Sequence, residues 1–483
     1  MINSLSRSLI ICALLLSSIH ASSFCGFYVA TADSKIFNET SQVILVRDGE
    51  RTIVTMSNDF KGDVKDFAMV VPVPVVLKRT DIKTVPAEVF TKMDNYSGPR
   101  LVEYYDSNPC QRYYEGDMLM SLDVASVEDE SVASVPMMKS AKKHNVTIEA
   151  EYKVDEYDIL ILSAKESTGL KAWLDENKYK VPESAAEVLD PYIKNNLKFF
   201  VVKIDANRLK TTSSGGQMNP LQLTYDSPKF MLPIRLGMAN ADGAQDMIVY
   251  GLTRQGRIEC TNYRTVEMPT ARNVPTFVRD DFGAFYKDVF DREYDHQGQN
   301  AVFLEYAWNV SPAFTGMKCD PCVGPPPINR DLAQAGVYWQ GNVHFTRLHV
   351  RYTQDKFASD LLFQVTPNTE NFQARYIITN PANGPFDCDN GQKYLTEMVS
   401  RRQRELDELQ ALAGWDPTDR PYYVEGYRKL IKDEADRNEI IPFIPINNSP
   451  MLPKLIFSLL LISAVAYFLT RYRVRTIKPK LTA

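Results

Sequence analysis

The sequence predicts an α+β, β-rich fold of mainly antiparallel sheets with short helices, continued by a helical C-terminal neck and one transmembrane helix. Three observations lead there. Runs of β-branched and aromatic residues outnumber helical patterns and lie a turn's length apart, which is the spacing of hairpins. Tyrosine (25) and phenylalanine (23) are frequent although 24% of the chain is charged, a mixture suited to half-buried sheets. Two apolar stretches bracket everything else.

The first stretch, Met1–Ser23, has one early charge at Arg7, the run Leu9–Ser18 and then Ala21, Ser22 and Ser23, the layout of a cleavable secretory signal. The second, Leu455–Thr470, carries no charge and is framed by Lys454 and by Arg471, Arg473 and Arg475. Such a basic flank marks the cytoplasmic end of a membrane span. Counted from Met451 at ~1.5 Å per residue, the stretch reaches the roughly 30 Å of a hydrocarbon core. The expected organisation is therefore a signal peptide (1–23) and an extracytoplasmic β-rich region (24–388), in which a split into two subdomains would fall near 120–145. A helical and proline-rich neck (389–450), a transmembrane helix (451–470) and a cytoplasmic basic tail (471–483) complete it. This places a single-pass protein in the cell membrane with its bulk on the periplasmic or extracellular side. Net charge of -5 gives no basic footprint for nucleic acid.

Element by element, Gln42–Arg47 and Arg51–Ser57 flank Asp48-Gly49, the pair a tight hairpin turn favours. Phe67–Val73 follows as a strand that Pro72 and Pro74 restrict to a sheet edge or strand end. A short helix at Ala87–Asn95 and a strand at Leu101–Tyr105 lead into Met118–Lys143, an aperiodic stretch read as a long exposed loop. Val146–Val154 and Tyr157–Ser163 alternate as strands. Two amphipathic helices follow, the first with Leu170, Trp173 and Leu174 on one face and Ser167 as cap, the second over Ser184–Lys194. Phe199–Ile204, Leu221–Tyr225, Ile234–Met238 and Met247–Leu252 read as strands, as do Phe303–Val310, Val343–Tyr352, Leu361–Val365 and Arg375–Thr379. Beyond them Leu395, Met398, Val399, Leu406 and Leu409 recur at helical spacing up to Gly414, with Asp389 and Gln392 as a capping box. Pro442, Pro445 and Pro450 then forbid a continuous helix into the membrane.

The segments CGFYVA (Cys25–Ala30), FAMVVPVP (Phe67–Pro74), PRLVEYYD (Pro99–Asp106), LPIRLGM (Leu232–Met238) and CDPC (Cys319–Cys322) resemble a bacterial family of exported proteins catalogued as domain of unknown function 2330. LHVRYTQDKF (Leu348–Phe357) and FQARYIITNP (Phe372–Pro381) extend the resemblance over most of the region outside the membrane. The resemblance implies no reaction, ligand or cofactor.

Cysteine carries the remaining chemistry. With Cys12 inside the signal, Cys25, Cys110, Cys260, Cys319, Cys322 and Cys388 are left, an even number that points to disulfides in an oxidising compartment. Cys319-Asp-Pro-Cys322 also fits a thiol–disulfide enzyme or half of a zinc site. The following Val-Gly-Pro-Pro-Pro, however, cannot form the helix whose N-terminus lowers a redox thiol's pKa. His344 and His349 lie five apart on a strand and face opposite sides, so they cannot share one ion. Asp387, Asp389 and Asn390 lack the downstream glutamate of a calcium loop, and Asp280, Asp281, Asp288 and Asp291 read as a solvated acidic face. Ser213–Gly216 reads as a flexible turn, and no nucleophile elbow, metalloprotease helix or phosphate loop occurs. No catalytic residue, metal ligand or cofactor is therefore expected. The expected function is a membrane-anchored binding or assembly module with an unknown protein or envelope partner, contacted through the loop before Lys143 and through Val71–Pro74. An exported hydrolase using carboxylates is the alternative.

Overall fold

A computed structural model describes residues 27–28, 41–57, 68–111, 142–177, 179, 184–205, 208–209, 218–238, 243–310 and 326–439. The chain begins with β1 (Phe27–Tyr28), β2 (Ser41–Asp48), β3 (Arg51–Met56), β4 (Ala68–Val73) and β5 (Ile82–Thr84), then helix α1 (Glu88–Ser97) and β6 (Arg100–Tyr105). After β7 (Lys142–Lys143), β8 (Val146–Val154) and β9 (Tyr157–Ala164) come α2 (Ser167–Glu176), α3 (Ala185–Lys194), β10 (Lys198–Ile204) and β11 (Leu221–Asp226). Next are β12 (Met231–Leu232), α4 (Arg235–Met238), β13 (Gln245–Thr253), β14 (Ile258–Cys260), β15 (Arg264–Glu267) and β16 (Arg272–Asn273). Helix α5 (Phe282–His296) leads to β17 (Ala301–Val310), α6 (Asn329–Ala335), β18 (Val343–Tyr352), β19 (Leu361–Val365), β20 (Phe372–Gln373) and β21 (Arg375–Asn380). Helices α7 (Asp389–Ala413) and α8 (Tyr422–Glu439) close the described chain.

Two large sheets form the centre. The six-stranded sheet runs β1-β4-β10-β9-β8-β7 and is antiparallel throughout. The nine-stranded sheet runs β15-β17-β18-β13-β2-β3-β11-β5, with β20 on β17, and is parallel only at β2–β13 and β15–β17. The sheets face each other. Val43 and Leu45 of β2 join Val71, Ile159 and Phe200 of the other sheet in one core, while Ile44 and Val46, pointing the opposite way, pack against Val89, Phe90 and Met93 of α1. On the outer side of the six-stranded sheet, α2 and α3 bury Leu170, Trp173 and Leu189. The result is a helix–sheet–sheet–helix stack whose inner strands are buried on both faces. Two three-stranded sheets complete it: β12-β19-β14 is antiparallel, and β16-β21-β6 is parallel.

Local chemistry explains most boundaries. The β2–β3 hairpin turns at Gly49-Glu50, one residue later than the sequence suggests, because Asp48 pairs with Arg51 and only Gly49 needs a positive φ, 60°. Among the described residues β1 covers only Met69 and Val70 of β4, so Pro72, paired with Phe199 of β10 on one side, has no strand neighbour on the other, and Pro74 lies just past the strand end. Three expectations are corrected. Ile234–Met238 is no strand: the Asp360 carboxylate accepts the Ile234 and Arg235 N–H groups at 3.0 and 3.2 Å and turns the chain into α4. Ser167 does not cap α2, since Glu166 holds the cap position. At α7 the cap is Cys388, whose sulfur accepts the Gly391 N–H at 3.3 Å, and not Asp389.

Helix α5 went unread in the sequence, and so did α8, which contains Tyr422, Tyr423 and Tyr427. Helix α7 ends at Gly414, as its spacing indicated. It shares one core with α5 and β21, where Leu406 and Leu409 meet Phe285 and Tyr376. Its fully buried Arg402 donates to Glu405 at 2.7 Å and to the Tyr423 hydroxyl at 2.5 Å, fixing α8 beside it. Among the described residues no helix is long and apolar enough to cross a membrane. The apolar stretches 1–23 and 451–470, the prolines at 442, 445 and 450, and most of the loop before Lys143 lie outside those residues.

Candidate functional site

Prolines end or bend several elements at one corner of the stack, and a cleft of about 650 Å³ opens there. Pro72 and Pro74 come from the end of β4, Pro191 from α3, and Pro228 and Pro233 from the approach to β12 and α4. Leu197, Met231 and Leu362 add aliphatic wall, Leu362 through the β12–β19 pairing that sets it opposite Met231. Val75 and Val76 beyond the β4 end are 37% and 39% exposed, so apolar surface continues outward from Pro74. Size and lining are those of a small-molecule site.

Few polar groups converge on it. Asp360 Oδ1 accepts from the Tyr192 hydroxyl at 2.7 Å as well as from the two α4 amides, and Asn262 donates to the Asp360 carbonyl at 2.7 Å. Burial pushes the Asp360 carboxyl above its usual range against those hydrogen bonds, and it drives Tyr192 well above the usual tyrosine value. Oδ2 makes no hydrogen bond among the described residues. Lys229 Nζ donates to Asn195 Oδ1 at 3.2 Å, whereas Arg235 lines the cleft with no hydrogen bond or ion pair from its guanidinium among the described residues. Behind Phe230, buried Arg47 donates to the Ser227 carbonyl at 2.9 Å and lies 5.1 Å from the Phe230 ring, separating the cleft from a smaller hollow of about 340 Å³.

A second cluster of shifted groups lies on the far face of the nine-stranded sheet. The β17–β18 register slips between Leu304 and Tyr306, and this bulge turns Glu305 and Tyr306 to the same, helix-facing side. There Glu305 accepts from Arg347, from the Tyr286 hydroxyl at 2.6 Å and from His349 Nδ1 at 3.0 Å. His349 Nε2 meets Asp246 at 3.2 Å, Arg351 holds Asp246 at 2.8 and 2.9 Å and also Asp291, and Arg347 reaches Asp94 of α1 at 2.6 Å. Against the cost of its burial, Arg347 and His349 hold Glu305 down at about 2, and Glu305 and Asp246 hold His349 up. Shifted groups often mark active sites, but here every carboxylate is consumed by a cation and the Phe290 ring stacks on His349 at 3.8 Å. The cluster bolts α1 and α5 to the sheet.

The remaining sequence candidates fall elsewhere. Cys110 and Cys388 form a disulfide that ties the end of β6 to α7. Cys260 is a free thiol among the described residues: it packs into the core between the sheets, where burial raises its pKa. Cys25, Cys319, Cys322 and Ser213–Gly216 lie outside the described residues. His344 is buried with neither ring nitrogen hydrogen-bonded among the described residues and its pKa lowered to about 4, chiefly by burial, on the face opposite His349. Among the described residues no group of three or more His, Cys, Asp or Glu is placed to hold a metal ion. Asp288 and Asp291 are not a solvated face, since Asp288 accepts from Trp415 at 2.7 Å and Asp291 binds Arg351. Of the surface expected at Val71–Pro74, Pro72 and Pro74 line the cleft. Tyr192, Arg235 and Asp360 went unread, because nothing in sequence brings positions so far apart together.

Fold and cleft define an α+β protein with a paired-sheet core between helices and one proline-walled corner site. The chain belongs to the family described as uncharacterized protein conserved in bacteria (DUF2330), whose model matches residues 19–364. The match ends within β19, before the helices α7 and α8. No curated protein and no solved structure matches the chain.

Proposed function

We propose that the protein is a membrane-anchored, extracytoplasmic binding or assembly module that works without catalysis and takes its ligand in the proline-walled cleft. One observation carries this reading: the cleft joins a continuous apolar wall to a few polar groups that the fold leaves partly unused. A hydrolase built on paired carboxylates needs two of them in one cavity, and the described residues lining this one include a single acid, Asp360. The anchor rests on the charge-free stretch 455–470 and its arginine flank.

Two experiments test the reading. Calorimetric titration of the full chain with neutral octanamide should give saturable binding that Leu362→Trp, which fills the cleft, abolishes; binding unaffected by the filled cleft would place the site elsewhere. For the anchor, a phosphatase fused after Pro450 should be active outside the cytoplasm and one fused after Ala483 inactive. Activity of both fusions contradicts a membrane span.

A further inference from the structure

Arg235 differs from most of the arginines packed into this fold. Arg47, Arg208, Arg347, Arg351, Arg401 and Arg402 each hold a carbonyl or a carboxylate. The Arg235 guanidinium lines the cleft with neither, among the described residues. Asp360 does not fill that role. No ion pair joins the two side chains, and Oδ1 is already occupied by Tyr192 and by the backbone of Ile234 and Arg235.

The lining described above therefore contains two cations, Arg235 and Lys229, against one acid. A planar guanidinium with free donors is suited to a carboxylate or phosphate. The rim also restricts what can bind. Pro72, Pro74, Pro228 and Pro233 have no backbone N–H, so an extended peptide cannot be held there by a continuous ladder of main-chain hydrogen bonds. Recognition must come from apolar contact plus the cationic side chains.

We infer that the cleft binds a small amphipathic acid, with its apolar body against Pro72, Pro74, Leu197, Met231 and Leu362 and its anionic head on Arg235, Lys229 standing close enough to assist. The volume of about 650 Å³ suits a monomeric molecule of this kind. This assignment rests on the binding reading above and deepens it.

Octanoate and octanamide, which differ only in the charge of the head, separate the two. Titrated into the full chain, octanoate should bind about ten-fold tighter than octanamide or better, the worth of a charge-assisted hydrogen bond. Arg235→Ala should erase that difference, Arg235→Lys should restore part of it, and Lys229→Ala should reduce it less. Equal binding of both probes by the native chain overturns the acid assignment while leaving the binding reading intact. So does a preference that survives Arg235→Ala. Binding of neither probe overturns both.

Discussion

The cleft and the ionic cluster on the opposite side of the nine-stranded sheet are built from the same residue types with opposite bookkeeping of charge. In the cluster Arg347, His349 and Arg351 are matched by Asp94, Glu305, Asp246 and Asp291, and the Phe290 ring packs on both His349 and Arg351. At the cleft the Arg235 guanidinium makes no hydrogen bond or ion pair among the described residues and acts on Asp360 only through its charge, Asp360 uses one oxygen, and the walls are apolar and open. Shifted pKa values do not tell the two regions apart, since burial raises Tyr192 and Asp360 at the cleft while Glu305 and His349 are shifted in the cluster. Matched charges indicate where the fold is held, and unmatched charges beside a cavity indicate where something else can bind.

The largest effect that can break this contrast is the loss of one cluster carboxylate. Glu305→Gln leaves Arg347 with Asp94 alone and His349 with Asp246 alone, removes the one fully buried counter-charge between them, and should destabilise the chain by about 3–5 kcal/mol. Denaturant titration reads it directly, and a loss below ~1 kcal/mol would mean the cluster is not a fastener.

A smaller effect separates the two histidines of β18. His349 is held in its charged form, so its folded pKa lies above the ordinary value of 6.5; its contribution is complete below that value and fades as pH rises through the folded one. His344 runs the other way. Folded it titrates at about 4, so the unfolded chain takes up the proton first and stability is lost as pH falls from 6.5 to 4. His344→Phe should remove that loss, worth about 1–3 kcal/mol at acid pH, and flatten the stability curve over the window. An unchanged acid limb would show that His344 finds a partner when the chain is folded.

How much of this was legible beforehand differs between the regions for a physical reason. Strands such as Val343–Tyr352 announce themselves through local alternation, and Gly414 through the left-handed end of a helix, so both were read from sequence. Helix α5 was not, because its buried face, Phe285, Val289 and Phe290, is interleaved with acids that looked solvated until Arg351 and Trp415 appeared opposite them. The bulge at Glu305 is likewise invisible, since it exists only in the register with β18. The cleft was half legible. Pro72 and Pro74 signalled a sheet edge or strand end, while Asp360 and Arg235 are brought together by the β12–β19 pairing, a contact no local pattern encodes.

One crossed measurement tests the contrast most directly: unfolding free energy and octanamide affinity, determined side by side for Glu305→Gln and Leu362→Trp. Glu305→Gln should lose about 3–5 kcal/mol of stability yet, while folded, bind octanamide as the native chain does. Leu362→Trp, at a site 38% exposed, should change stability by no more than about 0.5 kcal/mol and bind no octanamide. If Glu305→Gln abolishes binding in the folded chain, or Leu362→Trp leaves binding intact, the division between a matched cluster that holds the fold and an unmatched cleft that binds is contradicted.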